Sequence, residues 1–150
     1  MSTPKVLIFG YGNPGRGDDA LGPLLISEIE KLGLAEVELQ TDMQLQVEHV
    51  MDMQGRDIVL FVDADVSCDE PFEFGELKAE KDSSYTSHAM TPQALLHSYS
   101  HVLNATSPKT FLLRIRGERF ELGDELSSSA IEHMEASKRF VLEFLNRSDE

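Results

Sequence analysis

The sequence predicts a single α/β domain, a three-layer sandwich in which a mostly parallel, twisted sheet of about five strands is flanked by helices on both faces. Three observations predict it. Residues 6–9 and 58–62 are continuous apolar runs, the pattern of strands buried on both faces. Strand-like runs alternate with stretches of helical apolar spacing, which gives parallel strands joined by right-handed crossovers. A chain of 150 residues, 41% apolar, is long enough for one substantial core and too short for two, so residues 1–150 form one domain.

Each element follows from its residues. Val6-Leu7-Ile8-Phe9 ends in glycine and forms the first strand. Leu21, Leu24, Leu25, Ile29 and Leu32 recur at helical spacing, with acids before them and Gly33 as a C-terminal stop. Residues 37–41 read as a second strand. Residues 45–53 read as a short helix closed by Gly55, with Val47, Val50 and Met51 facing inward. The strand at 58–62 ends in Asp63-Ala64-Asp65, and Phe72, Phe74 and Leu77 suggest a short edge strand. Residues 81–87 are polar enough for a mobile loop. Thr91-Pro92 then starts a helix, a capping hydroxyl followed by proline in the first turn, with Leu95, Leu96, Tyr99, Val102 and Leu103 as its buried face. Residues 111–115 form a further strand. Residues 127–146 close the chain as a long helix with Ile131, Met134, Val141 and Leu145 on one face and Glu135 spaced to pair with Arg139.

Charge removes whole classes of partner. With 13 Lys+Arg against 27 Asp+Glu the net charge is −14, so nucleic acid and anionic membrane surfaces meet repulsion. No stretch approaches the roughly 18 apolar residues of a membrane span, and the first ten residues carry no secretory h-region. Cys68, the one cysteine, cannot form an internal disulfide. A cytoplasmic, monomeric protein is expected.

In an open α/β sheet, functional residues gather at the carboxyl ends of strands, near the point where strand order reverses. Three polar segments reach that edge: Gly10 to Asp19, Asp63 to Asp65, and the loop carrying His88. The first contains Gly10, Gly12 and Gly15 in a G-x-G-x-x-G pattern, with Asp42 as a conceivable ribose acid. A non-enzymatic nucleotide- or metal-binding α/β module, using either this loop or the acids with His88, is therefore the alternative reading. Against nucleotide binding, Pro14 removes an N–H from the phosphate cradle, Asp18 and Asp19 add negative charge there, and Asp42 lies too far along. Two adjacent acids also exceed what a helix cap requires. His97 and His101 stand at i, i+4 but on the solvent side of their helix, Cys68 has no base paired with it, and His49 and His133 have no diagnostic partners. Two carboxylates and His88, converging from three segments, form a small divalent-metal site, better suited to contacting a metal transiently than to caging it.

These segments resemble the nickel–iron hydrogenase maturation endopeptidases. The resemblance runs through Gly10-Tyr11-Gly12-Asn13 with Arg16-Gly17-Asp18-Asp19-Ala20-Leu21-Gly22, then Gln44-Leu45-Gln46-Val47-Glu48-His49, Phe61-Val62-Asp63-Ala64 and Ser87-His88-Ala89-Met90-Thr91-Pro92. Arg116-Gly117-Glu118-Arg119-Phe120-Glu121-Leu122-Gly123 resembles a subgroup. The resemblance implies a phosphorylase/hydrolase-like fold and an endopeptidase that removes the C-terminal extension of the hydrogenase large-subunit precursor after nickel insertion. It places the metal-contacting and catalytic roles on Asp19, Asp63 and His88, with Asp18 the alternative to Asp19 because many members carry glutamate there. It also implies that nickel is supplied by the substrate and that no nucleotide is used.

Overall fold

The computed structural model describes residues 4–79 and 90–148. Its elements are β1 (Val6–Tyr11), a 3-10 turn (Gly17–Ala20), α1 (Leu21–Glu30), β2 (Val37–Asp42), a second 3-10 turn (Val47–His49), α2 (Val50–Met53), β3 (Ile58–Asp65), β4 (Phe72–Glu76), α3 (Pro92–Leu103), β5 (Lys109–Arg116) and α4 (Ser128–Ser148). The five strands lie in the order β2-β1-β3-β5-β4. All neighbours are parallel except β4, an edge strand that runs antiparallel to β5.

Alternation of side chains along each strand divides the core in two. Ile8, Leu60, Val62, Leu113 and Ile115 face α1 and α4. Leu7, Phe9, Val59 and Phe61 face α2 and α3, meeting Val50, Met53, Leu95 and Tyr99. The predicted three layers and the predominantly parallel sheet are therefore present. Thr91 caps α3 as the sequence indicates, its hydroxyl accepting from the Ala94 N–H at 3.0 Å, with Pro92 in the first turn.

Helical faces differ from expectation where the local geometry changes period. Residues 45–53 break into a 3-10 turn and a short α-helix, which rotates the segment. Leu45, His49, Val50 and Met53 are buried, whereas Val47 and Met51, predicted inward, are exposed. Helix α1 stops at Glu30, so Leu32 lies beyond it in solvent and Ile26 takes an inward place. Val102 and Ile131 are also exposed, and Glu135 pairs with Lys138 at 3.6 Å where the spacing pointed to Arg139. The predicted loop at 81–87 lies outside the described residues, as does His88.

The strand order reverses between β1 and β3, since β2 lies on one side of β1 and β3 on the other. Helix α1 packs unusually close to the sheet at this point. A Cβ on Gly10 would lie 2.4 Å from the Gly22 carbonyl oxygen, and one on Gly22 would lie 2.7 Å from the Val62 and Tyr11 oxygens. A Cβ on Gly12 would lie 2.0 Å from the Asp19 oxygen. Steric demand for backbone contact thus accounts for Gly10, Gly12 and Gly22, and it holds Asp19 against the end of β1.

Candidate active site

Strand register brings the first two site residues together. Gly10 on β1 pairs with Val62 on β3, so Tyr11 and Asp63 follow as neighbours at the carboxyl ends of their strands. The Tyr11 hydroxyl donates to the Asp63 carboxylate, and its ring packs edge-on to Phe61 at 6.4 Å. Asp19 enters from the turn before α1. Its Oδ2 accepts the Asn13 N–H at 2.8 Å, and its charge acts on both Asp63 and Tyr11.

Burial shapes the electrostatics of this pair. Asp63 is pushed up to about 7, first by burial and then by the neighbouring Asp19 and Asp65 charges. The Ala64 N–H, donating to Oδ1 at 2.8 Å, and the Tyr11 hydroxyl oppose the rise. Tyr11 itself is held well above the ordinary phenol range, by burial first and then by the Asp63 carboxylate. It remains a protonated donor across the physiological range.

The row continues across the sheet. Arg114 on β5 is the register partner of Asp63, and Glu73 on β4 is the register partner of Arg114. The guanidinium donates from Nη1 to Asp65 Oδ2 at 2.8 Å and from Nη2 to Glu73 Oε2. Two residues of this row, Tyr11 and Arg114, were not singled out by sequence reasoning. Tyr11 stands inside the glycine segment, but nothing in its spacing marks the cross-strand contact. Arg114 sits in an apolar run whose alternation only assigns it to a face.

Asp18 and Asp19 separate clearly. Asp18 is fully buried, and its two oxygens accept from the N–H groups of Glu118, Arg119 and Ser127 and from the Ser127 hydroxyl, at 2.7 to 3.1 Å. Burial works against its ionisation, yet these donors hold its carboxyl below the ordinary range. Its backbone N–H donates to the Arg119 oxygen, so the turn and the loop after β5 are joined in both directions. The lone pairs of Asp18 are engaged in the fold, and Asp19 is the acid beside Asp63.

The remaining candidates have structural roles. His49 Nδ1 accepts the Gln46 N–H at 2.8 Å, which places the ring proton on Nε2, facing Asp42 Oδ2 at 3.1 Å. Asp42, the conceivable ribose acid, is thereby engaged with a buried histidine. His97 and His101 lie with ring centroids 4.5 Å apart on the less buried side of α3. The buried Cys68 thiol faces the Asp65 and Arg114 carbonyl oxygens, and burial pushes its pKa up, away from nucleophile chemistry. Among the described residues no three His, Cys, Asp or Glu side chains are grouped to hold a metal ion. Asp19 and Asp63 are the described members of the expected trio, and His88 would have to supply the third ligand from outside that set.

No family model and no curated protein matches the chain. Solved structures do. The chain is similar to the NiFe hydrogenase maturation protease HycI from Thermococcus kodakarensis, with 22% identity, a TM-score of 0.74, and 95% of this chain and 93% of that one covered. It is similar to the hydrogenase maturating endopeptidase HybD from E. coli, with 21% identity, a TM-score of 0.75, and 96% and 93% covered. The hydrogenase 2 maturation peptidase from a Thaumarchaeota archaeon gives 21% identity, a TM-score of 0.70, and 95% and 98% covered. Each likeness spans nearly the whole of both chains, and at these identities it defines the fold.

Proposed function

We propose that this chain, which has the fold of the hydrogenase maturation endopeptidases, is itself such an enzyme and removes the C-terminal extension from the nickel-loaded large-subunit precursor of a nickel–iron hydrogenase. The observation that carries the reading is the meeting of Asp19 and Asp63 at the strand-order reversal of that fold. Hydrolysis adds water across the scissile C–N bond, leaving a carboxylate on the subunit and an amine on the released tail. Asp19, Asp63 and His88 would contact the nickel that the substrate carries, with oxygen and nitrogen donors of the kind such a cation accepts. Docking through the metal places the scissile bond beside it, where the cation polarises the carbonyl or activates water. The Tyr11 hydroxyl orients the Asp63 carboxylate for that contact.

Two features suit a protein substrate. Met43, Val66 and Leu122 are exposed in the loops that follow β2, β3 and β5, at the same edge as Asp19 and Asp63. Exposed apolar side chains around a polar centre favour contact with another folded protein. Of the acids considered for the site, Asp18 is internal and Asp65 is paired with Arg114, which leaves Asp19 and Asp63 to face a cation-bearing partner. No helix among the described residues is long and apolar enough to cross a membrane, and the cytoplasm is where we place the reaction.

Recognition through nickel fixes the timing of cleavage. Wild-type protein is expected to process nickel-loaded precursor and to leave nickel-free precursor intact, and His88→Ala is expected to lose at least about 100-fold in rate on the loaded form. Gel-shift assays of precursor cleavage check both, and equal cleavage in all arms would overturn the proposal. Acidity acts with a definite sign. A cation competes with the proton on Asp63, so kcat/KM is expected to fall towards tenfold per pH unit below about 7 and to level off above it. A profile that stays flat from pH 5.5 to 8 contradicts this role for Asp63.

A further inference from the structure

A cavity of about 360 Å³ opens on the α3 side of the sheet, over the margin formed by β4 and β5. Gly75, Glu76, Leu77, Gln93, Leu112 and Arg114 line it. It begins at Arg114, the cross-strand neighbour of Asp63, and leads away from the carboxyl edge towards Leu112. Its lining includes Gly75, the penultimate residue of edge strand β4, and a Cβ there would meet nothing within 4 Å. A glycine inside a strand ordinarily weakens it and marks a place where another group approaches closely.

We infer that this groove receives the tail of the precursor beyond the scissile bond, as an extended peptide; the inference rests on the endopeptidase reading. Continuity with Asp63 is the first reason. Two strand spacings of about 4.8 Å and two residues along the strand separate Asp63 from Gly75, a path of roughly 12 Å. An extended chain covers that in about four residues, so the groove takes the side chains about three to four positions after the cut. A second reason is that the segment after the cut ends in a free terminus and can lie in a lateral groove, whereas the segment before it is continuous with the folded subunit. The lining sets the chemistry. Leu77 and Leu112 favour an apolar side chain, while Arg114 is balanced by Asp65 and Glu73 and the rim carries Glu76, so a cationic neighbour is preferred to an anionic one.

Gly75→Val projects a β-branched side chain into the groove from a strand position where such residues suit and where an added Cβ meets nothing within 4 Å. Wild-type protein is expected to process nickel-loaded precursor with its full tail about tenfold faster, in kcat/KM, than precursor with a tail cut to two residues. In Gly75→Val this ratio collapses towards one, mainly through KM, while the melting temperature holds. A synthetic tail peptide carrying a fluorophore binds wild-type protein and loses at least about tenfold in affinity on Gly75→Val. Equal peptide binding by both proteins, or an unchanged tail-length ratio, overturns the groove. Wild-type protein that binds the peptide yet leaves nickel-loaded precursor uncut overturns the endopeptidase reading and leaves the groove assignment standing on the binding data.

Discussion

Asp63→Asn is expected to end processing of nickel-loaded precursor and, at pH 8, to make the protein harder to unfold. Loss of one anionic contact to the metal-bearing substrate removes an interaction of the kind that costs about 100- to 1,000-fold in rate when deleted. The gain in stability has the opposite origin. Burial and the Asp19 charge raise Asp63 to about 7 against an ordinary 3.8, so between these values the folded state holds a proton that the unfolded chain has released. Stability therefore falls as pH rises through that window, and above it the full cost of a buried carboxylate is present. The gap corresponds to a ceiling of about 4 kcal/mol, of which about 1–2 kcal/mol is expected in practice. Asparagine keeps the shape and the acceptor for the Ala64 N–H without the charge. Melting temperatures at pH 8 should exceed wild type by about 3–6 °C, with the difference vanishing near pH 4. A variant less stable than wild type at pH 8 refutes the account of Asp63.

Asp18→Ala is expected to be the most destabilising single change at the edge of the sheet. It leaves the backbone N–H groups of Glu118, Arg119 and Ser127 and the Ser127 hydroxyl without their acceptor, the two Ser127 bonds being fully buried. Each is a bond to a charged group, worth about 1.5–3 kcal/mol, and because they share one carboxylate the combined loss is about 3–5 kcal/mol. Set against a typical total of about 5–15 kcal/mol for a domain, that lowers the melting temperature by roughly 10 °C. The pH signature is the reverse of that of Asp63. The folded-state pKa of Asp18 is depressed, so its contribution is present above the ordinary 3.8 and is lost as pH falls through the lower folded value. Chemical denaturation at pH 7 measures the loss. An Asp18→Ala protein as stable as wild type would show that the loop after β5 is held by other means.

Much of the fold was legible in the chain. The runs at 6–9 and 58–62 became β1 and β3, Thr91-Pro92 became a capped helix start, and Phe72 with Phe74 marked the edge strand. Burial leaves a direct imprint in such places, because a strand covered on both faces tolerates few polar residues. Helix faces were less legible. A period of 3.6 residues points Val47 and Met51 inward, and a 3-10 turn shifts that period within the segment. Asp63 was readable as an acid at the end of a buried strand, and Asp18 and Asp19 as two acids where one cap would suffice. None of the local signals distinguishes Asp18 from Asp19.

The sequence by itself determined the layered α/β architecture, the parallel sheet, the edge at which polar residues collect and Asp63 as the acid at its rim. Tertiary structure alone decided which neighbouring aspartate is internal and which faces Asp63, and it added Tyr11 and Arg114 to the row. The physical reason is the range of the interactions involved. Periodicity records how each short segment is buried, one residue after the next. Asp18, by contrast, is fixed by backbone donors at Glu118, Arg119 and Ser127, about a hundred positions away, and the row is fixed by cross-strand register between segments widely separated in sequence. Those contacts exist only once the sheet has assembled.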